Sequence, residues 1–207
     1  MILGLYCKFV TKDEIRNKIW DYMEKNNLVT FPRPGYGRIP NFVGAKAAGE
    51  KIQELKEYKA AKCIFSAPDA SLIEVRRQTL LAGKALLVAL PHIVGYREIN
   101  GKEFADKAMT IDGFKRFGKE PNTPADLFVQ GSVAVDLKGN RLGKGKGYGD
   151  REYFELKELS LLKPDAKVAT IVHDCQIVED FSDLANEYDV KVDYILTPTQ
   201  IITTQSH

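Results

Sequence analysis

Residues that cross-link chains or bind metal ions are scarce in this sequence, which has three cysteines and three histidines among 207 residues. Cys7, Cys63 and Cys175 are odd in number and far apart, so they fit neither a disulfide framework nor a CxxC metal site. We expect them to be small buried thiols in a reducing cytoplasm. The histidines are equally scattered, and we therefore expect no zinc site.

An excess of charge of one sign and a long apolar run are also missing. Thirty Lys and Arg residues face 28 Asp and Glu residues, a formal net charge of +2, so nucleic acid and anionic membranes are not expected partners. No stretch of the sequence reaches the ~18 uninterrupted apolar residues of a membrane span. The apolar opening is broken by Lys8 and lacks a small-residue cleavage pattern, which argues against a signal peptide and favours a cytoplasmic protein. Any site that binds an anion must therefore be formed by a short segment of the chain and not by the charge of the whole molecule.

What the sequence does have is the composition of an ordinary globular protein. Apolar residues make up 44% and charged residues 28%, which is enough to form a buried core and is not typical of a disordered or collagen-like chain. The length slightly exceeds the usual roughly 100–200 residues of one domain. We expect a single domain over residues 1–207, with elaborations.

Short apolar runs alternate with helical patterns along the chain, which predicts parallel βαβ units and an α/β fold. Thr11 followed by Glu14 forms a capping box, which predicts a helix from Lys12 to Asn26. Further helices are expected over 45–59, 72–82, 151–162 and 181–188. Strands are expected over 62–65, 85–90 and 167–172, with one interrupted strand over 127–136 and the last strand over 194–197. The polar stretch 94–122 is irregular, with one helix around 102–109.

The segment from Asp136 to Asp150 links a predicted strand to a predicted helix, and we expect it to bind phosphate. Glycines at every second position from 143 to 149 let the backbone approach an oxyanion closely and adopt positive φ angles. The helix that follows adds partial positive charge at its first turn. The two bracketing carboxylates are suited to a magnesium ion between phosphates. Mobile cations are supplied by Arg141, Lys144 and Lys146.

This glycine loop is not one of the common nucleotide-binding motifs. Three residues rather than four separate Gly139 from Gly143-Lys144, and no Ser or Thr follows as a Walker A motif requires. Tyr148 stands where GxGxxG has its last glycine. The residues taken alone leave open a second interpretation, a flexible charged hairpin.

The string GNRLGKGKGYGDREY resembles the hallmark of the 5-formyltetrahydrofolate cyclo-ligase, or methenyltetrahydrofolate synthetase, family, whose pattern runs G-N-R-L-G-x-G-x-G-Y-Y-D-R. Lys12 and Arg16 repeat the Lys-x-x-x-Arg spacing of the family's first helix. The similarity also extends upstream and downstream of the loop, through residues 126–136 and 193–197. It therefore covers most of the chain.

Three departures from the pattern point to a divergent branch. Gly149 replaces the second tyrosine, and Gln130 replaces the proline that usually precedes the glycine at position 131. The stretch 37–45 resembles methenyltetrahydrofolate synthetase domain-containing proteins, some of which join this domain to an RNA-binding module. Strict activity on the folate is less secure for such a branch.

The resemblance implies a three-layer α/β fold with a mainly parallel sheet, helices on both faces and the glycine loop at the carboxyl end of a strand. It implies ATP- and Mg²⁺-dependent cyclisation of 5-formyltetrahydrofolate to 5,10-methenyltetrahydrofolate, with release of ADP and phosphate. The partners are then small molecules. A non-catalytic nucleotide- or folate-binding module, linked to RNA metabolism, is the alternative, and an ATP-using ligase of another small acid is a third hypothesis.

The same resemblance implies roles for individual residues. Contacts to ATP are carried over to Lys12, Arg16, Arg141, Gly143, Lys144, Gly145, Lys146, Gly147, Tyr148 and Gly149. Residues near the transferring group are Lys144, Lys146 and Tyr148. Residues near the pterin are Ile64, Asp69 and Tyr148. The metal ligands are Asp150 and Asp193.

Simpler structural roles compete with several of these assignments. Lys12 and Arg16 lie one helical turn apart, which is also typical of a solvated basic face. Asp150 and Asp69 are residue types well suited to capping the helices that follow them. Ile64 is equally well explained as a core residue of its strand. Asp193 is equally well explained as a turn residue at a strand end.

Overall fold

The computed structural model describes residues 11–205. The predicted absence of a signal peptide, the thiol of Cys7 and His207 therefore lie outside the described residues. No helix within 11–205 is long and apolar enough to cross a membrane. The extent of the predicted single domain stays a prediction.

A seven-stranded sheet organises the chain, with strand order β3-β2-β1-β4-β7-β8-β9. The five central strands are parallel, and the edge strands β3 and β9 are antiparallel to their neighbours. A separate two-stranded ribbon pairs β5 with β6. The strands are β1 (Cys63–Ser66), β2 (Ala85–Ala89), β3 (Tyr96–Ile99), β4 (Ala125–Gly131), β5 (Ala134–Val135), β6 (Arg141–Leu142), β7 (Leu162–Ile171), β8 (Tyr194–Leu196) and β9 (Ile201–Thr203).

Helices cover both faces of the sheet, as expected for a mainly parallel α/β fold. They are α1 (Lys12–Lys25), α2 (Ala45–Glu50), α3 (Lys56–Ala60), α4 (Ile73–Leu81), α5 (Ile111–Phe117) and α6 (Tyr148–Glu158). Short 3₁₀ turns occupy Lys51–Glu54, Ala70–Leu72, Pro91–Ile93, Lys102–Phe104, Asp174–Gln176 and Ser182–Leu184. The α/β prediction is confirmed.

The core is built on strands that are buried along their whole length. Phe65 of β1 stacks on Phe128 of β4 with ring centroids 4.5 Å apart. Tyr153 of α6 then packs edge-on against Phe128 at 5.3 Å. Because all five residues of β2 are also buried, these strands read as continuous apolar runs rather than alternating ones.

The first helix begins as the capping box predicts. The Thr11 side chain accepts the N–H of Glu14, and the Glu14 side chain accepts the N–H of Thr11. Ile15, Ile19 and Met23 form its buried face. The polar face of α1 is thus free to meet the glycine loop.

Several predicted elements are wrong in extent. The helix over 45–59 is broken into α2, a 3₁₀ turn and α3, because Leu55 has an extended backbone with ψ 132°. The helix expected around 102–109 is only a 3₁₀ turn over Lys102–Phe104. The regular helix of this region is α5, whose first turn is capped by the Thr110 side chain.

The region around the glycine loop also differs from prediction. The strand predicted over 127–136 is two strands in different sheets, because β4 ends at Gly131 and β5 pairs with β6. Helix α6 begins at Tyr148 rather than Arg151, so the loop runs directly into it. The helix over 181–188 is reduced to one 3₁₀ turn, and β9 follows the strand predicted to be the last.

Candidate functional site

A cavity of about 350 Å³ opens at the carboxyl ends of three neighbouring parallel strands. Its walls include the residues that follow β1 (67–69), those that follow β2 (90–92) and the last residues of β4. The strand order reverses between β1 and β4, because the chain proceeds to β2 on one side and to β7 on the other. Ligands of open α/β sheets bind at such a switch point.

The glycine loop forms one wall of this cavity. It leaves the β5–β6 ribbon and enters α6 through Gly147, whose φ of 65° is left-handed. Gly145 is also left-handed, with φ of 91°. Both angles favour glycine, and they turn the loop so that the 11-residue helix α6 begins at the cavity.

Two cations of α1 reach this wall. The Arg16 Nε donates to the carbonyl oxygen of Gly143 at 2.7 Å, and the Arg16 Nη1 lies 2.5 Å from Asp13. The Lys12 Nζ lies 2.5 Å from Asp189 Oδ2. Both residues line the cavity, so a purely solvated basic face does not describe them.

Arg141 and Asp150 form a buried pair beneath the loop. The Arg141 Nη2 donates to Asp150 Oδ1 at 2.7 Å, and the Val190 N–H donates to the same oxygen at 3.1 Å. The Arg141 side chain is only 4% exposed, so it stands behind the loop rather than in it. The residue at the N-cap of α6 is Gly147, and the capping role considered for Asp150 is therefore wrong.

The lysines of the loop are exposed at the mouth of the cavity. The Lys144 Nζ lies 5.8 Å from the centroid of the Tyr148 ring. The Tyr148 hydroxyl lies 3.2 Å from His92 Nδ1, across the cavity. Lys146 also lines the cavity and is exposed. The mouth therefore carries positive charge and an aromatic side chain.

The inner wall carries carboxyl groups instead. Burial raises the pKa of the Asp69 carboxyl, although the charges of Lys144, Arg76 and Arg141 oppose the rise. Burial, and then the charge of Asp69, raise the pKa of Glu152 to about 8. A Glu152 carboxyl that is protonated at neutral pH is a hydrogen-bond donor as well as an acceptor.

Four polar or charged residues of the cavity wall had no site role predicted from the sequence: Gln130, Glu152, His92 and Asp189. One signal was present for Glu152, which lies four residues before Leu156 and therefore on the buried face of α6. A second was present for Gln130, a polar residue at the end of an apolar strand. No sequence signal pairs Lys12 with Asp189, which lies 177 residues away.

The structure does not bring the remaining predicted residues to the cavity. Ile64 is fully buried within β1 and packs in the core. Asp193 lies at the amino-terminal end of β8, where its carboxylate accepts from the Val168 N–H and from Lys167. Asp136 is fully buried, and its carboxylate accepts four hydrogen bonds from Lys138, Asn140 and Phe181. None of the three faces Asp150 across the cavity.

A magnesium site must therefore rest on few protein groups. No cluster of three or more metal-ligating side chains occurs within residues 11–205. Of the two predicted ligands only Asp150 lines the cavity, and both of its recorded hydrogen bonds engage Oδ1. Mg²⁺ commonly takes one or two carboxylates and fills its shell with phosphate oxygens and water, and Asp150 fits that pattern.

The model of the 5-formyltetrahydrofolate cyclo-ligase family matches residues 8–198. The chain belongs to this family. The curated relatives include methenyltetrahydrofolate synthase domain-containing proteins of Bos taurus and Homo sapiens, 42% and 40% identical over 206 residues. The match covers 94% of this chain and 54% of each relative, so the chain spans about half their length. The predicted family and branch are confirmed.

Solved structures of the family share the fold at low identity. A 5,10-methenyltetrahydrofolate synthetase of Aquifex aeolicus superposes with a TM-score of 0.62 at 20% identity, covering 95% of this chain and 94% of that one. A 5,10-methenyltetrahydrofolate synthetase of Mycoplasma pneumoniae gives 0.54 at 19%, covering 90% and 98%. The family fold expected from the glycine loop is confirmed.

Proposed function

We propose that this protein is an ATP- and Mg²⁺-dependent cyclo-ligase that converts 5-formyltetrahydrofolate to 5,10-methenyltetrahydrofolate and releases ADP and phosphate. One observation carries the proposal. A cationic glycine loop and two carboxyl groups with raised pKa values, Asp69 and Glu152, line one cavity at the switch point of the sheet. The first suits a polyphosphate and the second a pterin.

The phosphates bind at the glycine loop and the start of α6. Gly145 and Gly147 have the left-handed backbone that lets a loop turn its N–H groups toward an anion. The start of the helix adds partial positive charge. Arg16 and Lys12 close the site from α1. Their partners, Gly143 and Asp189, already hold them at the cavity, so little side-chain freedom is lost on binding.

The reaction moves one phosphoryl group and closes one ring. The formyl oxygen on nitrogen-5 attacks the γ-phosphate and ADP leaves. Nitrogen-10 then attacks the formyl carbon, the carbon–oxygen bond breaks as phosphate departs, and nitrogen-10 loses its proton. Phosphoryl transfer of this kind needs positioning and charge neutralisation rather than a covalent protein nucleophile.

The residues that we assign to this phosphoryl transfer are Lys146, Lys144 and Tyr148. Both lysines are exposed at the mouth and so are free to follow the developing charge on the phosphoryl oxygens. Asp69, with Glu152, meets the hydrogen-bonding edge of the pterin. Mg²⁺ bound beside Asp150 would neutralise phosphate charge.

A direct assay tests the proposal, because the methenyl product has its own near-ultraviolet absorbance. Purified protein with ATP, Mg²⁺ and 5-formyltetrahydrofolate should produce a rise in that absorbance that stops when ATP is omitted. If folded protein gives no ATP-dependent rise with any reduced formyl-pterin, the proposed activity is wrong.

A binding module without turnover is the second candidate. It is favoured by one finding, that the chain spans about half the length of its curated relatives, so that a further segment of such proteins could carry the activity of the whole. Thermal-shift titration with ATP and folates separates the two, since a module would be stabilised by ligand without forming product. RNA binding would instead appear in a filter-binding titration as a strong dependence on salt.

A further inference from the structure

Two glutamine side chains within residues 11–205 are fully buried, and they differ in their hydrogen bonding. The Gln176 Nε2 donates to the carbonyl oxygens of Ser132 and Val133 at 2.8 and 3.1 Å. Its Oε1 accepts the N–H of His173 at 2.7 Å. This amide is fully used by the fold, and Gln176 does not line the cavity.

Gln130 has the same burial and the opposite bonding. It is 1% exposed, and neither its Nε2 nor its Oε1 has a hydrogen-bond partner among the described residues. A buried amide without partners costs free energy, and native proteins retain few of them. Gln130 is the penultimate residue of β4 and lines the cavity. The cavity is therefore the direction from which a partner can come.

Gly149 makes room for this amide. A Cβ built on Gly149 would lie 2.7 Å from Gln130 Oε1, so the Gln130 amide would have to shift to admit it. Gly149 lies within α6 and is not among the left-handed glycines, so its backbone suits any residue. The position therefore favours glycine because a side chain there would crowd Gln130, and not because the backbone requires it.

We propose that the Gln130 amide is a substrate-recognition group that hydrogen-bonds an adjacent donor and acceptor of the bound pterin, and that Gly149 keeps its position open. The inference rests on the proposed function and adds a specificity-determining residue to it. The two residues are two of the three departures of the chain from the family pattern, and they lie next to one another. A side chain at 149 would displace the Gln130 amide from the position that it has in the structure.

A reduced formyl-pterin offers two groups of this chemistry. The ring has a lactam edge, with an N–H beside a carbonyl. The reacting part has the formyl oxygen, an acceptor, near the N–H of nitrogen-10, a donor. A primary amide matches either pair, because it donates through Nε2 and accepts through Oε1.

The test compares Gln130→Met with its matched control Gln176→Met. We measure the melting temperature of each ligand-free protein and the affinity for 5-formyltetrahydrofolate and for tetrahydrofolate, without ATP. Gln130→Met removes an unpartnered amide, so its melting temperature should equal or exceed that of the unsubstituted protein, while binding weakens roughly 10- to 100-fold. Gln176→Met should melt lower and bind normally while folded.

The two ligands identify the contacted group. Equal weakening for both would assign the amide to the lactam edge, which they share. Weakening confined to 5-formyltetrahydrofolate would assign it to the formyl group. Unchanged affinity, or a fall in melting temperature matching that of Gln176→Met, would overturn the inference and leave the proposed function standing. If the unsubstituted protein binds neither ligand, both fail together.

Gly149→Ala tests the second half of the proposal. Its Cβ displaces the amide, so this variant should lose affinity for the same ligand as Gln130→Met. The double variant should lose little more than either single one, because both remove one interaction. Losses that add in full would show that Gly149 acts independently of Gln130, contrary to the proposal.

Discussion

The carboxyl groups beside the two ends of the neighbouring strands β1 and β4 lie in opposite environments. At the amino-terminal end, Asp126 accepts the N–H groups of Lys62 and Cys63 as well as the Lys163 ammonium. Burial raises the pKa of Asp126, but these hydrogen bonds outweigh it and the pKa is lowered. At the carboxyl-terminal end, burial raises the pKa of both Asp69 and Glu152.

The difference separates carboxyl groups that stabilise the fold from carboxyl groups that remain available to bind a ligand. A carboxylate whose oxygens accept backbone N–H groups ties strand ends together and has little capacity left. A buried carboxyl with a raised pKa costs stability, and such groups cluster at functional sites. The cavity lies at the carboxyl end of β1 and β4, and its wall contains Asp69, Glu152 and the unpartnered amide of Gln130.

The largest expected effect is that of Lys146→Ala on turnover. Gly145 and Gly147 flank this exposed lysine and give it almost nothing to pack against, so the melting temperature without nucleotide should be unchanged. If its ammonium neutralises the transferring phosphoryl group, turnover falls by about 100- to 1000-fold, or roughly 2.7–4 kcal/mol. The stabilisation by ATP should also shrink.

The exposed Lys56, far from the loop in sequence, is the matched control. Lys56→Ala should leave turnover and ATP stabilisation unchanged, because its side chain is 88% exposed. Normal turnover of Lys146→Ala would remove this lysine from the mechanism. A collapsed fold would instead show that the loop is structural.

Glu152→Gln should change how stability depends on pH. The pKa of Glu152 is about 8 in the folded protein and about 4.3 in the unfolded chain, so the folded state holds its proton over that interval. Stability of the unsubstituted protein is therefore lost as pH rises from about 4 to 8. The variant escapes this loss.

Denaturant unfolding at pH 5 and pH 9 measures the effect. Glu152→Gln should be the more stable protein at pH 9, by roughly 2–5 kcal/mol at about 1.4 kcal/mol per pKa unit. Near pH 5 the two proteins should differ little. An equal difference at both pH values would mean that the carboxyl does not titrate in this range.

Asp126→Ala tests the other end of the sheet. It leaves two backbone N–H groups and the Lys163 ammonium without their acceptor, and we expect a loss of about 1.5–3 kcal/mol in the free energy of unfolding. Turnover at a temperature where the variant is folded should be unchanged. Loss of turnover without loss of stability would reverse the assignment of the two ends.

The sequence predicted the elements whose signals are local. The buried runs of β1 and β2 and the capping box of α1 were located to within about one residue, and the glycine loop singled out from the sequence lines the cavity. Groups that meet only through the fold were not predictable, such as Lys12 with Asp189 or Asp69 with Glu152. Hydrogen-bond partners are set by the packed structure, so the sequence did not show that the Gln130 amide lacks partners while the Gln176 amide has them.

Asp193→Asn has the smallest expected effect. It tests whether the metal-ligand role that the family pattern implies applies to Asp193. If Asp193 bound the metal, removing its charge would greatly raise the Mg²⁺ concentration that is needed for half-maximal turnover. In the structure it lies at the amino-terminal end of β8, bonded to Val168 and Lys167. Asparagine keeps one acceptor oxygen for the Val168 N–H, and a half-exposed ion pair contributes only about 0–1 kcal/mol.

We therefore expect a titration of turnover against Mg²⁺ to match that of the unsubstituted protein, whereas Asp150→Asn should require more Mg²⁺. A shifted titration for Asp193→Asn would mean that the metal is bound at the other end of the sheet from the cavity.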